Sequence, residues 1–116
     1  MPPRLAVMSG YLQVSTATPT REDAVRLAGS AVGAGLAAGA QVIGPVVSVF
    51  WHEGQYGEGE EWQILFKTTD ARFDELESHL LDRHPWNNPE VIAVPITTGS
   101  ADYLTWVERT TTQQDG

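Results

Sequence analysis

The sequence predicts an α+β domain in which two helices cover one face of a four-stranded antiparallel sheet, and a further helix follows at the C-terminal end. Stretches rich in β-branched residues and stretches with helical spacing follow one another in the order β-α-β-β-α-β, the split βαβ arrangement. The 116 residues, of which 41% are hydrophobic, suit one core. We therefore expect residues 1–116 to form a single domain, with 1–10 as an N-terminal extension and 110–116 as a frayed tail.

The first strand and helix are predicted from residue 11 onward. Residues 11–16 have strand character, and Thr18-Pro19-Thr20 ends the strand. Thr20 is expected to cap a helix whose first turn carries Glu22 and Asp23, because acidic side chains are favoured at the positive end of a helix. The apolar face of this helix is predicted to consist of Ala24, Ala28, Ala31, Val32 and Leu36.

A long hairpin follows this helix. Residues 41–51 are mostly β-branched or aromatic, and Gly44-Pro45 predicts a bend, a bulge or an edge position in this long strand. The acidic, glycine-rich residues 53–60 are predicted to form the turn. In the returning strand Trp62, Ile64 and Phe66 alternate with Gln63, Leu65 and Lys67.

The second helix, a short strand and a third helix complete the chain. Phe73, Leu76 and Leu80 recur at helical spacing, and His84-Pro85 is expected to stop that helix. Residues 91–96 predict a strand, which Pro95 marks as an edge strand or one with an open side because proline lacks an N–H. Ser100 is expected to cap a last helix that contains Tyr103, Leu104, Trp106 and Val107.

The hairpin predicts association with further copies of the chain. Two helices protect one face of the sheet, yet bulky groups lie on both faces of the hairpin whichever register is chosen. They are Val46, Ser48 and Phe50 on one side and Val47, Val49 and Trp51 on the other. Subunit association normally covers an apolar patch of this kind, so we expect a homo-oligomer.

Composition excludes several classes of function. The formal net charge of −8 would repel nucleic acid and anionic lipid, so we expect neither as a partner. There is no cysteine, no apolar run long enough for a membrane span, and no secretory pattern after Met1-Pro2-Pro3-Arg4, so we expect a cytoplasmic protein. The sequence contains none of the nucleophile-elbow, phosphate-loop or H-E-x-x-H motifs, and we expect no enzyme activity.

Several stretches between Arg21 and Arg109 resemble the CutA divalent-cation tolerance family. The matching stretches are Leu36-Ala37-Ala38, Ser48-Val49-Phe50-Trp51-His52-Glu53-Gly54, Leu65-Phe66-Lys67-Thr68-Thr69, His84-Pro85-Trp86, Pro89-Glu90, Ala93-Val94-Pro95-Ile96, Gly99 and Asp102-Tyr103-Leu104. The resemblance implies a ferredoxin-like fold, a homotrimer, and a role in tolerance or homeostasis of divalent cations such as copper. Ser15 stands where some members have cysteine, so a sulfur-based Cu(I) site is absent.

The resemblance implies that His84 and Glu90 are metal ligands at the subunit boundary. They lie six residues apart across a loop with two prolines. An imidazole with a carboxylate suits Cu(II) or another divalent cation, and we expect no such cation to be an essential cofactor. A third ligand would come from another subunit, from His52, Glu53 or water. Coordination by a neutral imidazole should weaken below about pH 6. In the alternative interpretation, His84 closes its helix and Glu90 holds it by a hydrogen bond.

A pocket between subunits is the second candidate site. Its predicted residues are Trp51, Glu61, Lys67, Trp86, Tyr103 and Trp106. Lys67, the only lysine, either forms an ion pair at a subunit contact or binds an anion or acts as a base. The aromatic residues either fill an interface or stack on a ligand. The alternative function is therefore a trimeric signalling or scaffold protein that binds a small organic ligand or a partner protein in the cleft.

Overall fold

The computed structural model describes residues 10–112; residues 1–9 and 113–116, which hold most of the predicted extension and tail, lie outside the described residues. The elements are β1 (Tyr11–Thr18), α1 (Arg21–Gly33), β2 (Gly39–His52), β3 (Gln55–Thr69), a 3₁₀ turn (Asp70–Arg72), α2 (Phe73–Arg83), β4 (Ile92–Pro95) and α3 (Ala101–Thr111). The strands form one antiparallel sheet in the order β2-β3-β1-β4. The predicted fold class and element order are confirmed.

The core lies between one face of the sheet and the helices α1 and α2. Val14 of β1 and the pair Ile64 and Phe66 of β3 are fully buried against Leu27 of α1 and Leu76 of α2. Successive side chains of a strand point to opposite faces, so the even-numbered residues of β1 and β3 face the helices. The odd-numbered residues, among them Glu61, Leu65 and Lys67, therefore lie on the other face, which we call the open face.

Helix α1 begins as predicted and ends earlier than predicted. The Thr20 hydroxyl accepts a hydrogen bond from the backbone N–H of Asp23 at 3.0 Å. The helix stops at Gly33, because Gly35 adopts a φ of +76° and lets the N–H of Leu36 reach back to the carbonyl of Ala31 at 3.1 Å. Leu36 is therefore buried from the following turn rather than from the helix face to which the sequence assigned it.

The hairpin turn is much shorter than the predicted 53–60. Only Glu53 and Gly54 form it, with φ values of +51° and +79°. Left-handed conformations at both central residues match the twist of the flanking strands, so the strands pair directly up to the turn. Gly57 stays in β3 because the ring of Phe50 lies on it; a Cβ at Gly57 would be 3.0 Å from that ring. The turn was predicted too long because a glycine that makes room for a cross-strand ring cannot be distinguished in the sequence from a turn glycine.

The predicted bulge in β2 is confirmed. The pairing of β2 with β3 shifts register between Ile43 and Val46, on either side of Gly44 and Pro45. A Cβ at Gly44 would lie 2.4 Å from the ring of Trp62, so the indole occupies the space that any side chain there would need. The bulge therefore depends on glycine for packing reasons.

The third helix begins at the predicted position and ends later than predicted. Ser100 occupies the N-cap position, but its side chain makes no capping hydrogen bond. The helix runs to Thr111, whose buried hydroxyl donates to the carbonyl of Val107 at 2.9 Å, so the tail predicted to fray from residue 110 is helical through Thr111. Helix α2 ends at Arg83 as predicted, and β4 is an edge strand in which Pro95 lies opposite Leu12, also as predicted.

Helices α1 and α2 are joined by a hydrogen bond between Ser30 Oγ and His79 Nε2 at 2.7 Å. Burial lowers the pKa of His79, and the nearby Arg83 lowers it further, while Asp82 opposes them. The neutral imidazole is therefore the form that suits this contact.

We expect Gly44→Ala to lower the free energy of unfolding by roughly 1–3 kcal/mol, because the added methyl group must displace the ring of Trp62. Gly29→Ala is the matched control: nothing lies within 4 Å of its Cβ position in α1, and alanine there should add up to about 1 kcal/mol. Urea unfolding at equal protein concentration measures both. Equal effects of the two substitutions would contradict the packing explanation.

The lowered pKa of His79 predicts a loss of stability in acid. Between about pH 7 and pH 5 the unfolded chain takes up a proton at this histidine more readily than the folded chain, so the free energy of unfolding should fall as the pH falls. His79→Gln should lose less stability than the wild type over the same interval, as measured by urea unfolding at each pH. Parallel pH profiles for the two proteins would contradict the prediction.

Candidate functional site

The outer part of the β2–β3 hairpin, residues 46–61, is the most exposed apolar surface among the described residues, and we call it the hairpin arm. Val47 and Trp51 keep 77% and 74% of their surface exposed. The rings of Trp51 and Tyr56 meet edge to face with centroids 5.8 Å apart, near the turn. The arm thus presents aromatic and β-branched side chains to solvent, as the sequence predicts.

The open face carries the two charged residues of the predicted pocket. Glu61 accepts a hydrogen bond from the hydroxyl of Ser48 at 2.8 Å. Lys67 lies opposite Gln13 of β1 and Gly39 of β2. Glu61 and Lys67 are six residues apart on one strand, which corresponds to about 20 Å, so they do not meet within one chain.

Helix α3 covers the end of the open face near Lys67. The ring of Trp106 comes within 3.5 Å of the position that a Cβ of Gly39 would occupy. The rings of Tyr103 and Trp106 lie with centroids 5.4 Å apart, and both side chains remain partly exposed. Because Gly39 is the cross-strand neighbour of Lys67, the structure brings Lys67 and Trp106 to the same end of the sheet.

The remaining predicted pocket residues lie elsewhere in the chain. Trp51 is at the far end of the hairpin arm, and Trp86 stacks near His84 with ring centroids 5.5 Å apart. Three of the six pocket residues, Lys67, Tyr103 and Trp106, therefore share one end of the sheet, whereas Trp51, Glu61 and Trp86 lie elsewhere, so a pocket of all six would require a second copy.

His84 closes an otherwise open edge of the sheet. The carbonyl of Tyr11 accepts the backbone N–H of Ile96, which directly follows β4. In an antiparallel pair alternate residues bond to the same neighbour, so every second residue of β1 from Tyr11 to Ala17 points its N–H and C=O toward the β4 edge. Strand β4 begins at Ile92 opposite Ser15, which leaves the carbonyl of Ala17 beyond its end. His84 Nε2 lies 2.8 Å from this carbonyl oxygen and takes the place of a strand neighbour.

These contacts fix the tautomer of His84. A carbonyl can only accept, so Nε2 carries the proton and donates to Ala17, while Nδ1 accepts the backbone N–H of Trp86 at 3.1 Å. Burial lowers the pKa of His84, with the Ala17 hydrogen bond and the Asp23 charge opposing it. The hydrogen bonds leave no free lone pair on the ring for a metal ion.

Glu90 and His84 contact different residues of β1. One oxygen of its carboxylate accepts the hydroxyl of Ser15 at 3.2 Å, whereas Nε2 of His84 also lies 3.2 Å from the hydroxyl of Thr16. Ser15 and Thr16 are consecutive and point to opposite faces. Within one chain, His84 and Glu90 therefore do not converge on one ion as the sequence analysis expected. The alternative interpretation expected Glu90 to hold His84, but Glu90 bonds to Ser15, and His84 bonds to backbone groups of Ala17 and Trp86.

The described residues do not fit a metal centre held by one chain. No group of three His, Asp or Glu side chains within residues 10–112 is placed to hold an ion. In the part of the chain that the structure describes, an exposed imidazole lies next to a carboxylate at the hairpin turn, where Nε2 of His52 is 3.9 Å from an oxygen of Glu53. Both side chains are mostly exposed, so they are available to a partner copy.

The sequence did not indicate a cavity of about 430 Å³ where β1 begins and α3 ends. It is lined in part by Tyr11, Asp70, Arg72, Glu75 and Glu108. Arg72 pairs with Glu75 at 2.8 Å, while its buried Nε has no hydrogen-bond partner among the described residues. The i, i+3 spacing of Arg72 and Glu75 was the only signal in the sequence, and it indicates a surface ion pair rather than a cavity.

Among residues 10–112, every helix is too short or too polar to cross a membrane. That finding agrees with the absence of a long apolar run in the sequence.

Comparisons with known proteins agree with the fold. The sequence model of the family described as CutA1 divalent ion tolerance protein matches residues 12–110. A rice protein (Oryza sativa subsp. japonica) named "Protein CutA 1, chloroplastic" is 36% identical over 84% of this chain and 55% of its own length. A Pectobacterium atrosepticum protein named "Divalent-cation tolerance protein CutA" is 34% identical over 77% of this chain and 81% of its own length.

Solved structures give the same result. The crystal structure of CutA1 from Oryza sativa matches with a TM-score of 0.86 at 34% identity, over 90% of this chain and 95% of that chain. The CutA1 structure from Thermus thermophilus matches with a TM-score of 0.85 at 30% identity, over 88% and 99%. This chain spans about half the length of two plant relatives, 55% and 54%. The resemblance identified in the sequence is confirmed, and the chain belongs to the CutA1 divalent ion tolerance protein family.

Proposed function

We propose that this chain acts in divalent-cation tolerance as a cytoplasmic homotrimer, with copper among the cations concerned. The observation that carries the proposal is the family match across residues 12–110, together with a relative that is named for divalent-cation tolerance. The proposed role is not catalytic. It involves neither nucleic acid nor a membrane, and the net charge of −8 supports this part of the proposal because it would repel both phosphate and anionic lipid. The rice relative, by contrast, is named as chloroplastic.

The hairpin arm supports the oligomeric part of the proposal. It carries Val47, Val49, Trp51 and Tyr56 with between 60% and 77% of their surface exposed. Both edge strands, β2 and β4, have unpaired outer backbone groups within the described chain. Contact between copies would remove this apolar surface from water and pair these edges. The threefold symmetry itself comes from the family resemblance.

The proposed cation contacts lie between copies rather than within one chain. His84 is held by two backbone groups, which leaves Glu90 as the ligand that the loop can offer. The exposed His52 and Glu53 at the hairpin turn are the candidate groups from another subunit. An imidazole with two carboxylates suits Cu(II) or Zn(II).

We expect the purified protein to have a mass three times its 12.6 kDa chain mass at micromolar concentration. Light scattering after size exclusion measures this mass. Native mass spectrometry of the same sample also separates the two functions considered from the sequence, since it shows whether a metal or an organic molecule accompanies the assembly. A folded particle of the chain mass would contradict the proposed trimer.

We expect His52→Ala to weaken Cu(II) binding by roughly tenfold or more, because a lost ligand removes at least about 1.4 kcal/mol of binding energy. His84→Ala should leave Cu(II) stoichiometry and affinity unchanged and lower the free energy of unfolding by about 1–3 kcal/mol, because the carbonyl of Ala17 and the N–H of Trp86 both lose their hydrogen bonds to the ring. Calorimetric titration and urea unfolding measure these effects. A loss of Cu(II) binding in folded His84→Ala, with His52→Ala unaffected, would reverse the assignment.

The biological role is tested by growth of the host at raised copper. Deletion of the gene should lower the copper concentration that stops growth, and the wild-type chain should restore it. His52→Ala and His84→Ala supplied at equal protein level separate a cation-contact role from a stability role. Equal copper resistance with and without the gene would contradict the proposed function.

A further inference from the structure

We infer that Lys67 lowers the affinity of Glu90 for divalent cations, and that Glu108 is a second carboxylate toward which its ammonium group turns when a cation binds. The inference rests on the proposed function, in which Glu90 is a cation contact, and it specifies what sets the affinity of that contact. It depends on the register of β1 and β3 and on two hydrogen bonds that fix the carboxylates.

Lys67 lies between two hydroxyl groups of β1 on the open face of the sheet. Its direct partner on β1 is Gln13, and Tyr11 and Ser15 are its two diagonal neighbours, one on each side. Residues two apart on a strand share a face, and so do direct cross-strand partners, so all four side chains lie on the open face. Diagonal neighbours are about 7–8 Å apart, a distance that a long side chain can span.

Each of these two hydroxyl groups holds a carboxylate. The hydroxyl of Ser15 donates to Oε2 of Glu90 at 3.2 Å, and the hydroxyl of Tyr11 donates to Oε1 of Glu108 at 3.1 Å. The carboxylates come from different elements, since Glu90 lies in the loop between α2 and β4 and Glu108 lies in α3. The single chain therefore places a carboxylate on either side of Lys67.

Lys67 is not fixed to either carboxylate. None of the ion pairs within residues 10–112 includes it, and its direct cross-strand neighbours, Gln13 and Gly39, carry no charge. Its side chain is partly buried, and it has a flexible four-carbon stem. The ammonium group can therefore turn toward Glu90 or toward Glu108.

A divalent cation at Glu90 must compete with this ammonium group. Both are positive, so each weakens the attraction of the other to the same carboxylate, and the repulsion is stronger at a partly buried site than in open water. Glu108 relieves the repulsion because it can accept the ammonium group on the other side of Gln13. The cation affinity of Glu90 therefore depends on the charge of Lys67 and on the presence of Glu108.

Neutralising Lys67 tests the competition. Lys67→Gln should raise the affinity for Cu(II) at least about threefold at low ionic strength, and the gain should shrink at high salt. Lys67→Arg is the matched control: it keeps the positive charge at the same place and should stay within about twofold of the wild type. Calorimetric titration with Cu(II) measures the affinity, and light scattering checks that each variant keeps the wild-type mass.

Glu108 provides an independent test. Glu108→Gln removes the second partner of the ammonium group, so it should lower the affinity for Cu(II) at least about twofold. In the Lys67→Gln background the same substitution should have little effect, because no ammonium group is left to turn. A double-mutant cycle of Cu(II) affinities measures this coupling, and additive effects overturn the role of Glu108.

Glu90→Gln separates this inference from the proposed function. Absence of Cu(II) binding in the wild type, or equal binding in Glu90→Gln, overturns the proposed contact and the inference together. Binding that depends on Glu90 but is no stronger in Lys67→Gln than in Lys67→Arg overturns the inference and leaves the contact standing. If Lys67→Gln does not fold or assemble, Glu108→Gln with Lys67 intact replaces it, and an unchanged or higher affinity then overturns the inference.

Discussion

The structure depends on a mismatch between a long hairpin and short helices. Strands β2 and β3 have 14 and 15 residues, whereas α1 and α2 have 13 and 11. A strand advances about 3.3 Å per residue and a helix about 1.5 Å, so helices of this length cover less than half of such a hairpin. The apolar residues of the outer half therefore stay exposed in one chain. This uncovered surface explains why the copies are proposed to associate and why the candidate contacts are divided among separate parts of the chain.

Local interactions around the covered half keep the hairpin in register. The bulge between Ile43 and Val46 requires the small Gly44 under the ring of Trp62. Farther out, the ring of Phe50 rests on Gly57, and the two-residue turn at Glu53 and Gly54 closes the strands. Glycine therefore serves packing in one part of the hairpin and backbone conformation in another.

His84 belongs to one of the stretches that match the family, and its contacts give it a structural role. Its ring bonds to the carbonyl of Ala17 and to the N–H of Trp86, joining the end of α2 to the free edge of β1. The loop that follows then leads into β4, which pairs with the same strand. The position of Glu90 beside Ser15 follows from this closure and places its carboxylate near the edge of the sheet.

The sequence predicted the features that periodicity and capping control. Alternation in β3, helical spacing in α2 and the Thr20 cap were enough for the element order and the core. It failed at Leu36 and in residues 53–60, because a helix-ending turn and glycines beneath a ring leave no periodic signal. The candidate site was harder to predict from the sequence than the fold. The protonation of the His84 ring nitrogens depends on a backbone carbonyl of β1, which is distant in sequence.

Amide hydrogen exchange across residues 46–52 is the most direct measurement of whether other copies cover the hairpin. The N–H groups of β2 that point away from β3 have no partner in the described chain, because β2 is an edge strand. Coverage predicts that these outward amides exchange nearly as slowly as those of the central strand β1. Exchange as fast as that of an unpaired strand edge, in a fully folded protein, would contradict the account.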